Sequence, residues 1–217
     1  MSLAVANRPA GPEAPLPPRE PQAASLSDRA WVTVVTATDA VLRRIYGVQT
    51  FSDHPACLLR IARGTAPHRI TLRDGTAVAA GAPIAMLHFW NEHLPHFPPD
   101  GPDLAWARLF RECMVISLQE LSHHLQATPA WYDVRIIHAC VNFGSRRRRW
   151  QIQRAAARFG FELLPTEVPC GLHEWGENML IWAFVRAFNP PALRRHALWR
   201  DRTGLWISKA SLISRYG

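Results

Sequence analysis

The spacing of apolar residues predicts a long helix near the start of the chain. Beyond Ser27, which fits a helix N-cap, apolar residues recur at helical spacing until Gly47 ends the run. These residues are Trp31, Val34, Val35, Thr38, Val41, Leu42 and Ile45. The pattern predicts an amphipathic helix of roughly five turns that covers a sheet. Residues 1–24 are rich in Pro, Ala and Glu without any period, which predicts a disordered tail.

From residue 48 to 90 the pattern shortens to segments of strand length. Strands are predicted at 57–62, 68–73, 76–79 and 84–90. Asp74-Gly75 is typical of a hairpin turn, and Gly81 marks a second turn. Pro83 can only begin a strand or lie at a sheet edge. This part of the chain therefore predicts an antiparallel meander.

The second half of the chain returns to helical periods. Asp103 fits the cap of a helix that extends to about Gln126, before Thr128-Pro129. A strand at 134–141, a helix at 146–159 and a strand at 161–164 predict a βαβ unit. Residues 168–176 are interpreted as a loop, and the apolar segment 178–188 fits either helix or strand. Residues 205–207 predict a short strand, and Ser208 fits the cap of a last helical turn.

These elements predict a fold class, α+β, with a meander, at least one βαβ unit and covering helices in one domain over 25–217. No apolar run of about 18 residues is present, and the N-terminus lacks the features of a secretory signal. The four cysteines are widely spaced and form no C-x-x-C pair, which predicts reduced, mostly buried thiols. The predicted location is the bacterial cytoplasm, with attachment to a membrane surface as an alternative.

The net charge of +8 favours an anionic partner. Every Lys or Arg position except Lys209 is arginine, so the composition of a GC-rich genome explains the charge equally well. The motifs of zinc fingers and of RNA-binding aromatic strands are absent, which makes nucleic acid an unlikely partner. The glycine spacing of nucleotide-binding loops is absent too, and no cofactor is predicted.

The strongest candidate site is the end of the strand at 84–90, where His88, Trp90, Asn91 and Glu92 follow closely. Alternation places His88 and Trp90 on one face. A buried neutral imidazole requires a hydrogen-bonding partner, which Asn91 or Glu92 can supply. Such a cluster either lines a ligand pocket or only holds the following loop in place.

Metal binding is a weaker alternative at the same position. His93 and His96, with Glu92 and His88 nearby, offer imidazole and carboxylate ligands. Pro95 breaks the helical spacing that would place two ligands on one face. Glu120-x-x-His123 resembles half of a helical di-metal motif, but a second copy is missing, so solvated helix residues are favoured.

Two further candidates lie in the second half. Gly144-Ser145 and the run Arg146 to Arg149 follow a predicted strand and open a helix, where unpaired backbone N–H groups attract anions. Ser145, Arg146 and Arg149 are the candidate ligands; a solvated charge run is the alternative. His173 and Glu174 offer acid–base groups on the predicted loop, although a carboxylate there also suits a helix start.

Four short motifs together resemble one known family. They are the turn from Asp74 to Gly81, Leu87-His88-x-x-Asn91, Arg158-Phe159-Gly160-Phe161 and Leu205-Trp206-Ile207-Ser208. They resemble the YkoP-like domain over roughly 40–216, and also the domain that follows some bacterial polysaccharide deacetylase modules. The resemblance implies a role near cell-envelope carbohydrate or lipid metabolism but no particular reaction. His88 and Asn91 are the positions to which the resemblance assigns a place in the site. Ala82 stands where an acidic residue is expected.

The resulting prediction is a binding or accessory module for an anionic envelope metabolite, such as a sugar phosphate or a lipid headgroup. His88, Asn91 and Glu92 would line the pocket and the arginine run would supply positive charge. The alternative is a transferase or hydrolase in which His88 or His173 is the general base. Peripheral binding to an anionic membrane is a third hypothesis.

Overall fold

The computed structural model describes residues 26–144, 149–164, 172–190 and 201–217. The helices are α1 (Leu26–Tyr46), α2 (Leu104–Ala127), α3 (Arg149–Arg158), α4 (Leu172–Phe188) and α5 (Lys209–Tyr216). The strands are β1 (Leu59–Thr65), β2 (Ile70–Thr71), β3 (Ala77–Val78), β4 (Pro83–Phe89), β5 (Ile136–Gly144), β6 (Glu162–Leu164) and β7 (Asp201–Ser208). The predicted α+β class is confirmed. Among these helices, none has both the length and the apolar content that crossing a membrane requires.

The main sheet has the strand order β1-β4-β5-β7-β6 within the described residues. β4 and β5 are parallel, whereas β1 pairs antiparallel with β4, and β7 pairs antiparallel with both β5 and β6. The predicted βαβ unit is therefore β5-α3-β6, with β7 inserted between its two strands. A second unit, β4-α2-β5, joins directly paired parallel strands. Inside the predicted meander, β2 and β3 pair with each other as a separate two-stranded ribbon.

One face of the sheet packs against helices α2, α3 and α5. Its core includes Leu118, Leu121 and Leu125 from α2, Ala156 from α3 and Leu212 from α5. The strands contribute alternate residues, among them Ile61, Leu87, Ile137 and Ile207. Asp103 and Ser208 cap α2 and α5 as predicted, because each side chain accepts a hydrogen bond from a backbone N–H three residues later.

The opposite face carries the site. The β2–β3 ribbon covers its lower part, where Ile70, Leu72 and Val78 join Ile84 and Ile136 in a second apolar cluster. Helix α1 reaches the upper part through an ion pair between Asp39 and Arg60 of β1. The two ends of this face therefore differ in chemistry, since the ribbon end is apolar and the α1 end is charged.

Helix α1 corrects one prediction, because most of its apolar stripe does not cover the sheet. Val35 is buried, but Val34, Val41 and Ile45 are 59%, 58% and 68% exposed. The helix packs mainly against α4 and presents Val34, Val41 and Ile45 to solvent. Helical spacing shows which residues share a face; it does not show whether another element covers that face.

Two boundaries differ from the sequence prediction. Helix α1 already begins at Leu26, so Ser27 lies inside it and is not its N-cap. Helix α4 begins at Leu172, so the predicted loop at 168–176 is wrong from residue 172 onward, and the undecided segment 178–188 is helical. The four polar residues His173, Glu174, Glu177 and Asn178 obscured the helical pattern of this segment. The predicted tail at 1–24 lies outside the described residues.

Candidate functional site: a recess on the upper face of the sheet

The upper sheet face carries a row of side chains from four neighbouring strands. Arg60 of β1 is paired with His88 of β4, and Cys140 of β5 is paired with Gly204 of β7. Between β4 and β5 the register runs to Leu87 opposite Ala139, so its next step places His88 beside Cys140. Paired residues of adjacent strands point to the same face. The row is therefore Arg60, His88, Cys140 and Gly204.

Cys140 shows that this row is open to solvent at β5, and we call the solvent-open part of the row the recess. β5 is the third of the five strands, and a residue on a central strand is ordinarily covered by whatever packs on that face. Cys140 is nevertheless exposed, whereas Cys57 and Cys113 are buried. Its neighbour Gly204 has no side chain to cover it. Cys140 is thus an exception among the thiols, which were predicted to be mostly buried; Cys170 lies outside the described residues.

His138 lies one row below, toward the ribbon. It is paired with Met86 on one side and with Trp206 on the other. Its ring stacks on the Trp206 indole with centroids 4.0 Å apart. Burial, and to a smaller extent the nearby His88, lower the pKa of His138 to about 4. His138 is therefore neutral at pH 7, and the two imidazoles lie close enough to interact.

Arg60 is the charged end of the row and is only 4% exposed. Its guanidinium lies 3.0 Å from an Asp39 carboxylate oxygen and 3.5 Å from one of Glu92. It also lies over the Trp90 ring, 4.6 Å from the centroid. Two carboxylates and an aromatic face thus balance the charge of this buried cation, while its Nε is buried without a hydrogen bond. Arg60 supports the floor and has little charge left for a ligand.

The segment after β4 forms the rim. Asn91, Glu92 and His93 make one 3-10 turn, and the Trp90 ring stacks on His93 with centroids 3.6 Å apart. His93 Nδ1 lies 3.0 Å from the carbonyl oxygen of Cys57. Trp90, Glu92 and His93 therefore hold the turn against β1, and Asn91 is partly exposed at its start. These three residues fix the turn in place.

The weaker alternative of a metal site gains no support in the described part of the chain. No group of three or more His, Cys, Asp or Glu side chains with metal-binding geometry occurs there. His96 is exposed in the loop after the turn. On α2, Glu120 accepts a hydrogen bond from the Ser52 hydroxyl at 2.8 Å, while His123 is exposed. Glu120 is thus part of a structural contact.

The candidates of the second half are only partly described. Ser145 and Arg146 lie outside the described residues, between the end of β5 at Gly144 and the start of α3 at Arg149. His173 and Glu174 belong to the first turn of α4, and their side chains and that of Arg149 are outside the description. Their roles stay predictions.

Sequence reasoning missed Arg60, His138 and Cys140. The signals were present in the alternation of each strand. Arg60 is the one charged residue inside the apolar segment Leu58 to Ala62, which indicates a buried cation that needs a carboxylate. His138 and Cys140 are two residues apart in a β-branched strand and therefore share a face. The sequence does not show which strand lies beside β4, and without that information these residues cannot be grouped.

Comparison with known proteins identifies a family. The family model of the YkoP domain matches residues 28–216, which includes nearly all of α1 and every described strand. No curated protein and no solved structure matches the chain.

Proposed function

The chain belongs to the YkoP domain family, and we propose that it binds a small anionic metabolite in the recess above His88 and Cys140. The ligand is a phosphorylated compound, such as a sugar phosphate or the headgroup of an anionic lipid. His88 and Asn91 would contact it. The exposure of Cys140 on a central strand carries the proposal, because it indicates an opening in the middle of a sheet face.

The topology supports this location. Adjacent parallel strands such as β4 and β5 end at the same edge of a sheet, and ligands of α/β sheets bind outside such carboxyl ends. β4 leads directly into Trp90, Asn91 and Glu92. β5 ends at Gly144, immediately before Ser145 and the arginine run. Two clusters far apart in sequence thus follow neighbouring strand ends.

The charge balance supports an anion. The chain carries a net charge of +8, and Arg60 is already neutralised by Asp39 and Glu92. We propose that the arginine run, which follows β5 in the sequence, supplies cations to the ligand. An arginine fork matches the oxygens of a phosphate in two parallel hydrogen bonds.

Thermal shift measurements test the proposal with inorganic phosphate, glycerol 3-phosphate and glucose 6-phosphate, and with glucose as the neutral control. The three phosphates are expected to raise Tm at millimolar concentration, whereas glucose leaves it unchanged. Flotation with phosphatidylglycerol vesicles and with phosphatidylcholine vesicles separates the lipid source from the free metabolite. Binding to the first vesicles alone identifies a headgroup.

Variants locate the site. Arg146→Ala with Arg149→Ala is expected to abolish the shift, as is His88→Ala. The matched control is Arg44→Ala with Arg108→Ala, which removes the same charge from exposed positions on α1 and α2. An equal loss in the control pair would reveal nonspecific attraction. The absence of any shift or vesicle binding in the folded parent protein would refute the proposal.

A further inference from the structure

In the recess, the strand register places the Cys140 thiol beside the His88 imidazole. Such a pair can perform covalent chemistry in addition to binding a ligand. We propose that Cys140 is a nucleophile whose proton His88 accepts, and that the recess takes activated acyl compounds, namely esters or thioesters. The inference rests on the recess described above and does not depend on the charge of its ligand.

The strand register brings the two groups into reach. Adjacent strands lie about 4.8 Å apart, and paired side chains stand side by side on one face. His88 and Cys140 occupy the step that follows the observed pair Leu87 and Ala139. An imidazole is long enough to span that gap to a neighbouring sulfur. Cys140 is also exposed, so an electrophile can approach it from solvent.

The surroundings suit a proton acceptor at His88. Burial keeps His138 neutral at pH 7, so it adds no positive charge beside a protonated His88. On the other side, Arg60 is matched by the carboxylates of Asp39 from α1 and Glu92 from the rim. Arg43 pairs with Asp39 at 2.9 Å as well, so two arginines and two carboxylates balance on this side. An imidazole paired with a thiol favours the thiolate.

The reaction follows from these two groups. The thiol proton of Cys140 passes to a ring nitrogen of His88 while the sulfur bonds to the acyl carbon. The bond from that carbon to the oxygen or sulfur of the leaving group then breaks, and the leaving group takes the proton from His88. The products are S-acylated Cys140 and an alcohol or thiol. Water, activated in turn by His88, releases the acid and restores the thiol.

Two reagents test the pair in the intact chain. Iodoacetamide is expected to alkylate Cys140 at pH 6.5 at least about tenfold faster than it alkylates free cysteine, since histidine pairing lowers a thiol pKa. Stoichiometric p-nitrophenyl acetate is expected to give one equivalent of p-nitrophenolate and an acetyl group on the peptide that contains Cys140. His88→Gln should move the inflection of the alkylation rate to the pH of an ordinary thiol.

Cysteine variants identify the reactive sulfur. Cys140→Ser should abolish both reactions, and Cys170→Ser should leave both unchanged. An alkylation profile of an ordinary thiol in the parent protein, or one that His88→Gln leaves unaltered, would overturn the inference. Loss of reactivity in Cys170→Ser would do the same. Phosphate binding is measured separately, so either proposal can fail while the other stands.

Discussion

The carboxylate of Asp74, on the turn between β2 and β3, accepts a hydrogen bond from the hydroxyl of Ser208 at the start of α5. The same oxygen accepts a second bond from Ser211 at 2.8 Å, and the other oxygen accepts the Thr76 N–H at 2.9 Å. Ser208 in turn accepts the Ser211 N–H. The turn and the helix start are 134 residues apart in sequence, so this carboxylate joins the ribbon to α5.

Replacement of Asp74 should destabilise this junction. Asp74→Ala removes a charged acceptor near a helix N-terminus and leaves two hydroxyls without it, at an expected cost of about 1–2 kcal/mol. The matched control is Asp53→Ala, which removes an exposed carboxylate from the loop before β1 and should change stability little. Urea denaturation measures both. Equal stability of the Asp74 variant and the parent would contradict a structural role.

The acid limb of the stability curve gives an independent measurement of the same contact. Hydrogen bonds, led by that of Ser208, lower the pKa of Asp74 from 3.8 to about 2. The unfolded chain therefore binds this proton first, and the stabilisation is lost as pH falls from about 4 to 2. Asp74→Asn should lack that part of the pH dependence. If Asp74→Asn lost as much stability as the parent over this pH range, other carboxylates would be responsible for the loss.

Three of the motifs that indicated the family meet around α5. Besides Asp74 and Ser208, the carbonyl of Phe159 accepts a hydrogen bond from the Tyr216 hydroxyl at 3.2 Å. Gly160 has a positive φ of 86°, and a Cβ there would lie 3.2 Å from Ile207. Short motifs were therefore recognisable in the sequence because each satisfies a local geometric demand. Their convergence depends on the order of strands, which local spacing does not encode.

His138 predicts a second pH effect. Its pKa is about 4 in the folded protein and about 6.5 in the unfolded chain, so the unfolded chain takes up the proton first. Stability should fall as pH drops from about 6.5 to 4, by an amount on the order of 3 kcal/mol. His138→Phe keeps an aromatic ring against Trp206 and removes this dependence. Denaturation midpoints at several pH values provide the measurement.

A second histidine requires a control for this experiment. Burial also lowers the pKa of His124, which therefore contributes in the same direction. The difference between the parent and His138→Phe isolates the His138 part, and the exposed His96→Gln should retain the full parental slope. If His138→Phe showed the parental slope as well, His138 would be solvated enough to titrate normally.

The two carboxylate partners of Arg60 are expected to contribute unequally to the stability of the fold. Asp39→Ala leaves a buried guanidinium without its nearer partner, 3.0 Å away, and should cost about 3 kcal/mol or more. Glu92→Ala removes a more distant and more exposed carboxylate, so about 1 kcal/mol or less is expected. Thermal denaturation ranks the two variants. The reverse order would show that α1 is not held to the sheet through Arg60.

The candidate site illustrates how far one sequence can predict a structure. His88 and Asn91 were predicted as site residues because unusual side chains end an apolar strand. Arg60 and Cys140 were missed because their relevance comes from neighbouring strands, and β5 enters the sequence nearly fifty residues after β4 ends. Alternation assigns each residue to a face of its own strand. The position of Cys140 beside His88 follows only when the parallel register of β4 and β5 is continued by one residue beyond Leu87 and Ala139.

Ser117 of α2 holds the residue that precedes β1 through a hydrogen bond. The buried Ser117 hydroxyl donates to the Cys113 carbonyl at 2.7 Å and accepts the Leu58 N–H at 2.8 Å. Ser117→Ala removes this acceptor from a buried backbone donor and should cost about 1–3 kcal/mol. Urea denaturation measures the loss, and hydrogen exchange at the Leu58 amide should accelerate.

Ser122→Ala on the same helix provides the matched control. Ser122 is equally buried, but the Gln126 amide that donates to its hydroxyl also donates to its backbone carbonyl, which the variant keeps. A small loss of stability is therefore expected. Equal losses in the two variants would attribute the Ser117 effect to packing alone. A larger loss for Ser117→Ala would show that α2 holds the strand that carries Arg60 and, through it, the floor of the recess.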